Sequence, residues 1–384
     1  GAESAGPERA RYLASPDGPS AARPRNARPA SSRTPDCAPC LGRPGRGARR
    51  GLPRPHPGPA DRWLDVGSDQ HTAAGDYEPA DDIVTAVILV LARWGQRDRA
   101  KALLRGSIAT LEGFSLAVAQ GNLATLLKDE GKLDEALTTY EAVYATFAAL
   151  DARQQMAAVL GQMSYVYQGQ GKYPEAIAKS DQALAIVRAT GDEEGQAISL
   201  HQLSMLYRLS EDYDTALARS QEAEKLFRKL GIEAYVAATL HEQGLIYTML
   251  ARAAGTDDEA AGHRGQAFER FQQSLAIKRR IGNEAGAGDS LAELGRLMMY
   301  ADQMRDAIAM ISEALDIARR LGDPVKTGIR LEQLGQIHER QGQYPAALEK
   351  YEEALGLKRK YMPPQNQAIT ESNIARVRGK MGGG

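Results

Sequence analysis

The residues most able to do chemistry are few. The two cysteines form Cys37-Ala-Pro-Cys40. A C-x-x-C pair is either a redox motif or half of a zinc site. The redox form needs a strand running into a helix, and the Pro- and Arg-rich surroundings supply neither. Zinc needs two more ligands, and His56 and His71 lack zinc-knuckle spacing. Neither use is expected. His241-Glu242 opens like the H-E-x-x-H zinc motif but lacks its second histidine. His201 and His241 lie 40 residues apart and, without a third ligand, read as polar lining rather than a metal site. No phosphate loop, dinucleotide fingerprint or G-x-S-x-G elbow occurs. No enzymatic activity, cofactor or metal is therefore expected.

The spacing of the histidines leads to the elements. Gly322–Tyr361 reads GDPVKTGIRLEQLGQIHERQGQYPAALEKYEEALGLKRKY, and the 40 residues before it, Gly282–Leu321, repeat its order of small and large residues. Gly322 suits a left-handed helix stop, Asp323 an N-cap and Pro324 the first helical position. Gly191-Asp192 and Gly282-Asn283 punctuate earlier copies in the same way. A helix is expected to about Gln341, with Ile329, Leu331, Leu334 and Ile337 at helical spacing, and a second from about Pro345 to Lys360, with Ala347, Tyr351, Ala354 and Leu355 on one face. The further copies are 111–150, 151–190, 191–230 and 231–281, the last carrying 11 extra residues at Ala251–Ala261. That insertion is expected to lengthen both helices or to form a loop, with a turn at Gly255-Thr256-Asp257-Asp258. A degenerate unit occupies 81–110. From 362 to 384 only a first helix recurs, a capping helix from about Gln365 with Ile369, Ile374 and Val377 on one side. Alanine recurs in register at 100, 136, 176, 216, 267, 307 and 347, as a close helix crossing requires.

Charge is distributed unevenly. The net charge is −1, but residues 1–62 carry 12 arginines and five acidic residues, a balance of +7 that leaves −8 for the remainder. Residues 1–80 hold 13 of the 18 prolines and few large apolar side chains. They are expected to be disordered, because so little burial cannot offset ordering entropy. This stretch reads as a linker, with a basic arm as the other use. Ile83–Ala92 is the most apolar run and too short to span a bilayer. It reads as a buried helix covered by the preceding segment, another domain or a second copy of the chain. Met298, Met299, Met304 and Met310 read as core filler, and Glu349, Glu352 and Glu353 as a solvated face. A repeat region without cysteine fits a reducing, cytoplasmic compartment.

The helix–turn–helix unit, with Leu334-Gly335, Gly342, Tyr344, Ala347, Tyr351 and Ala354 at its small, aromatic and turn positions, resembles the tetratricopeptide repeat. Its length is similar to the 40-residue repeats of kinesin light chains and the Partner of Inscuteable family. The resemblance implies an all-α, right-handed α-solenoid (superhelix) over 81–384, whose first helices line a concave groove for extended or helical peptides. It places one polar column there: Asn122, Gln162, Gln202, Glu242, Glu293, Gln333 and Asn373. In related arrays an asparagine at this position hydrogen-bonds the ligand backbone, which a carboxamide can do by donating and accepting. Gln or Glu replaces it in five copies, and the column reads equally as the wet edge of the helix. Neighbouring positions add Lys128, Tyr165, Gln168, His201, Arg208, His241, Arg296, Gln336 and Arg376. Such cations among carboxamides suit an acidic peptide or a free carboxylate, but the family's two-carboxylate clamp set is not reproduced.

The expectation is thus a protein- or peptide-binding scaffold, with no nucleic-acid or membrane partner for the repeats. Two alternatives fit the same resemblance. One is the C-terminal sensor module of a larger nucleotide-switched bacterial regulator. The weaker is a regulator similar to the response-regulator phosphatases.

Overall fold

The polar columns are carried by helices alone. The computed structural model describes residues 96–382, with fourteen α-helices, one short 3-10 turn and no strand among them. Cys37, Cys40, the segment 1–80 and the run Ile83–Ala92 lie outside the described residues. Helix α1 (Arg97–Ile108) precedes six antiparallel pairs. These are α2 (Gly113–Asp129) with α3 (Leu133–Ala149), α4 (Arg153–Gly169) with α5 (Tyr173–Thr190), and α6 (Glu193–Leu209) with α7 (Tyr213–Lys229). They continue as α8 (Glu233–Ala253) with α9 (Asp257–Arg280), α10 (Glu284–Tyr300) with α11 (Met304–Arg320), and α12 (Pro324–Arg340) with α13 (Tyr344–Tyr361). A final helix, α14 (Ala368–Gly382), packs on α13. Each helix packs chiefly on its chain neighbours, which makes the region an all-α solenoid.

Local punctuation sets the helix ends. Gly322 sits at φ 66°, and the Asp323 carboxylate accepts from the Lys326 N–H at 2.9 Å. Asp192 and Asn283 cap α6 and α10 in the same way. The insertion extends α8 to 21 residues and α9 to 24, against 17 for α10 and α11. The turn between them is closed by Thr256, whose hydroxyl accepts from Glu259 N, while Glu259 reaches back to Gly255 N. At the far end the structure differs from the periodic reading. Pro363 holds Met362 extended, a 3-10 turn follows at Pro364–Asn366, and α14 starts at Ala368 rather than near Gln365. Ile374 and Val377 are buried, but Ile369 is 64% exposed, because at helical spacing it lies about a quarter-turn from the stripe of Thr370, Asn373, Ile374 and Val377 that faces α13.

Packing within pairs follows a size rule. All seven alanines of the column have no exposed surface. The position after Leu334 shows the reciprocal pattern. A methyl added at Gly244 would stand 2.7 Å from the Phe271 ring, at Gly295 2.5 Å from Ile311, and at Gly335 2.7 Å from the Tyr351 ring. Where that position is Ser164, the facing residue is Ser180 and the hydroxyls bond at 2.8 Å. Small faces large or medium faces medium, so the pair closes to the same separation. Between pairs, ion bridges recur on the outside: Arg188–Glu222 at 2.9 Å, Arg279–Glu313 at 2.5 Å and Arg319–Glu353 at 2.7 Å.

Candidate functional site: the inner face of the first helices

A cavity of about 310 Å³ opens between α4 and α6, with Tyr235 of α8 at one side. Its lining includes Gln162, Tyr165 and Gln202, with Ala158, Ile198 and Ser199 as the small and apolar floor. Gln162 and Gln202 are buried. The Gln162 carboxamide oxygen accepts from Lys128 Nζ at 2.8 Å, and the Gln202 nitrogen donates to the Gly161 carbonyl at 3.1 Å. Among the described residues the remaining Gln162 nitrogen and Gln202 oxygen make no further hydrogen bond. One donor and one acceptor therefore stand at the cavity wall. Lys128 Nζ also lies 5.9 Å from the Tyr165 ring centre, and burial lowers its pKa. Burial pushes the Tyr165 hydroxyl up to about 12.

Apart from Asn122, the rest of the polar column is tied into the solenoid. Arg208 grips Glu242 at 2.5 and 3.4 Å; burial pushes the Glu242 carboxyl up, against the pull of that guanidinium. Arg296 bonds Glu293 at 2.5 and 3.0 Å on its own helix. Arg330 donates to Gln333 at 3.2 Å. Asn373 is buried beside Glu332 and accepts from Arg376 at 2.9 Å, while Arg376 chiefly pairs with Glu339 at 2.7 Å. That pair, with Tyr351 and Lys380, holds Glu339 down to about 2. Asn122 is half-buried, and its side-chain nitrogen has no hydrogen-bond partner. Gln168 and Gln336 are half-buried on the same faces.

The two histidines do not meet. His201 Nδ1 lies 3.3 Å from Thr239 Oγ1, and His241 Nδ1 lies 3.2 Å from Ser290 Oγ. Each therefore touches a hydroxyl of the next first helix, at one register position. Burial pushes His201 down to about 4, and burial with Lys278 and Arg208 nearby pushes His241 down to about 3. Among the described residues no three His, Cys, Asp or Glu side chains converge as a metal site.

Several inner-face groups were not singled out from sequence: Tyr235, Lys278, Asp289, Ser290, Lys326 and Arg330. A signal for Lys278 was present. Its column reads Phe147, Val187, Phe227, Lys278, Ala318, Lys358, and a lysine in an apolar column marks a buried charge.

With this geometry in view, residues 155–229 and 286–360 match the tetratricopeptide repeat family model. Those residues carry tetratricopeptide repeats, in a 40-residue form. Among solved structures it is similar to a signal transduction ATPase with numerous domains and a tetratricopeptide repeat sensor from Pyrococcus horikoshii. Identity is 15%, the match covers 77% of this chain and 44% of that one, and the TM-score is 0.60. The Cut9–Hcn1 hetero-tetramer of the APC/C matches at 14% identity over 82% of this chain and 52% of its own, with TM-score 0.56. The nearly identical TPR-like repeats of a candidate kinesin light chain from Podosopora anserina are 21% identical over 56% and 100%, with TM-score 0.44. Comparison with curated proteins finds no match. No helix among the described residues is long and apolar enough to cross a membrane.

Proposed function

We propose that the repeats form a non-catalytic scaffold that holds a protein or peptide along the inner face of its first helices. Tetratricopeptide repeats as a class are protein-interaction scaffolds. The observation that carries the groove reading is the cavity between α4 and α6, with the free nitrogen of Gln162 and the free oxygen of Gln202 on its wall. A peptide backbone offers one carbonyl and one N–H to such a pair. The test begins with a partner captured by pull-down. Gln162→Ala with Gln202→Ala is expected to weaken its binding about 5- to 150-fold, at 0.5–1.5 kcal/mol for each lost hydrogen bond. Ala158→Phe, which fills the cavity, is expected to weaken it further. Equal binding by parent and both variants, with an unchanged melting curve, overturns the reading.

A second reading is a partner-sensing module within a larger nucleotide-switched regulator. The repeats share their fold with the Pyrococcus horikoshii signalling ATPase, which carries a tetratricopeptide repeat sensor. A phosphate loop in the same full-length reading frame would favour it.

A further inference from the structure

The solenoid repeats one polar contact along its inner seams, and comparing the copies shows what one of them lacks. Each seam brings together a first-helix residue, a residue late in the second helix of that pair, and a residue on the next first helix. In the α6–α8 seam these are His201, Phe227 and Thr239. In the next they are His241, Lys278 and Ser290, then Ala292, Ala318 and Arg330, then Glu332, Lys358 and Thr370. The last three seams each bury one cation: Lys278 is 6% exposed, Arg330 8% and Lys358 5%.

Two of the three cations have a carboxylate. Arg330 donates to Asp289 at 2.9 Å. Lys358 donates to Glu332 at 2.6 Å and to Thr370 at 2.9 Å, and Glu332 also accepts from Thr370 at 2.7 Å. Lys278 differs. Its Nζ donates to Ser290 Oγ at 2.9 Å, but His241 stands where Glu332 supplies the carboxylate two pairs later. Asp289 attracts Lys278 through space without bonding it, because its two oxygens bond Lys326 at 2.7 Å and Arg330 at 2.9 Å, and burial still pushes Lys278 down to about 8. Glu242, which follows His241 in the chain, is held by Arg208. Lys278, Lys326, Arg330 and Arg208 thus face two carboxylates. A buried ammonium with no bonded carboxylate is costly and is relieved by an incoming anion.

The seam sits at the register of the groove cavity. The cavity between α4 and α6 is lined by Gly161, Val187, Ile198, Ser199 and Tyr235. Two pairs further along, those register positions are His241, Lys278, Asp289, Ser290 and Lys326. Asp289 and Lys326 remain 34% and 35% exposed, so the mouth of the seam is wet.

We propose that the seam between α8, α9 and α10 seats one carboxylate of a bound peptide, held by Lys278 and Ser290 with Lys326 at the rim. The internal copy Lys358–Glu332–Thr370 shows the chemistry of the missing partner: a carboxylate bridging an ammonium and a hydroxyl. The proposal rests on the groove reading and adds to it the kind of group the ligand presents. Acidic side chains and a chain terminus supply the same group, and two probes separate them: a blocked triglutamate peptide, and an N-acetylated trialanine peptide with a free C-terminus.

The experiment follows the Lys278 side chain by NMR in the full chain labelled with carbon-13 lysine, assigned through Lys278→Met. One of the two peptides is expected to shift its signal saturably. By isothermal titration calorimetry, Lys278→Met is expected to bind that peptide about 10- to 100-fold more weakly than the parent, as for a lost charged hydrogen bond. His241→Glu is expected to abolish the effect, because a built-in carboxylate then takes the seat as Glu332 does. Methionine suits the position, since Phe227 and Val187 fill it elsewhere, so one variant stays readable if the other misfolds. No saturable shift with either peptide, or equal affinity in Lys278→Met, overturns the seat. Equal competition by inorganic phosphate overturns the carboxylate assignment. Should a captured partner bind Lys278→Met normally yet lose Gln162→Ala with Gln202→Ala, the seat fails and the groove stands. The reverse outcome removes the Gln162 and Gln202 contact from the groove reading and keeps the seat.

Discussion

At the residue scale, the inner face is built from polar groups in places where polarity is expensive. His201 and His241 sit on facing columns of hydroxyls and are kept neutral by burial, with pKa values pushed down to about 4 and about 3 from 6.5. The sign of the resulting pH dependence follows. The unfolded histidine takes up its proton first, so the stability from keeping it neutral is full above 6.5 and is lost as pH falls toward the folded values. Between pH 7 and pH 5 each is expected to cost roughly 2 kcal/mol. Urea denaturation at both pH values checks this: the His201→Gln, His241→Gln double variant should lose most of the drop. A drop as large as the parent's would mean that other groups carry it. Glu339 is not that group, because its depressed pKa places its contribution lower, between 4.5 and about 2.

At the element scale, the helix pair works by complementary size. Gly335 lets the Tyr351 ring lie against α12, and the ring is held there by its hydroxyl, which donates to Glu339 at 3.0 Å. The ring cannot retreat without losing that bond. Gly335→Ala is therefore expected to destabilise by about 1–3 kcal/mol, despite alanine's better helix propensity. A chemical denaturation midpoint at or above the parent's would show that the ring yields freely. The helix stops obey a local rule as well. Glycine takes the left-handed position at most helix ends, but Asp151, Glu211 and Asp302 hold it at φ 49°, 67° and 58°, where a side chain costs energy. The following cap at Asp212, accepting from Thr215 N at 3.1 Å, still starts α7 on time.

At the scale of the molecule, the described region has several small cores in series rather than one. Buried residues from Ala117 to Leu240 form one apolar cluster, those from Ala267 to Ile317 a second, and those from Met299 to Ala354 a third. Packing is between neighbours, and the exposed ion bridges that cross seams contribute little each. Damage should therefore stay local. Ala307→Arg forces a charged chain into a helix crossing with no exposed surface and is expected to cost about 3 kcal/mol or more. Hydrogen exchange should then show protection lost across α10–α13 while α4–α7 keep theirs. Uniform loss from end to end would mean a single cooperative unit.

Sequence alone determined what is local or periodic. The stop at Gly322, the cap at Asp323 and the start at Pro324 involve groups a few bonds apart, so their types specify the helix boundary wherever the chain lies. The alanine column announced the helix crossing because a small residue at one register position has few other reasons to recur. The candidate column was legible as a line of polar residues, but not what each one touches. Lys128 meets Gln162, Arg208 meets Glu242, and Arg376 meets Glu339 across seams 34 or 37 residues apart in the chain. Those pairings depend on how one helix pair stacks on the next, and spacing within a helix carries no record of it. Ile369 differs for a local reason: five residues before Ile374, it falls off the stripe that α14 buries. Only the tertiary structure decided that Gln162 and Gln202 keep one free group each at a cavity wall. It also left Lys278 buried without a bonded carboxylate, because charge balance in a seam is a property of three helices at once.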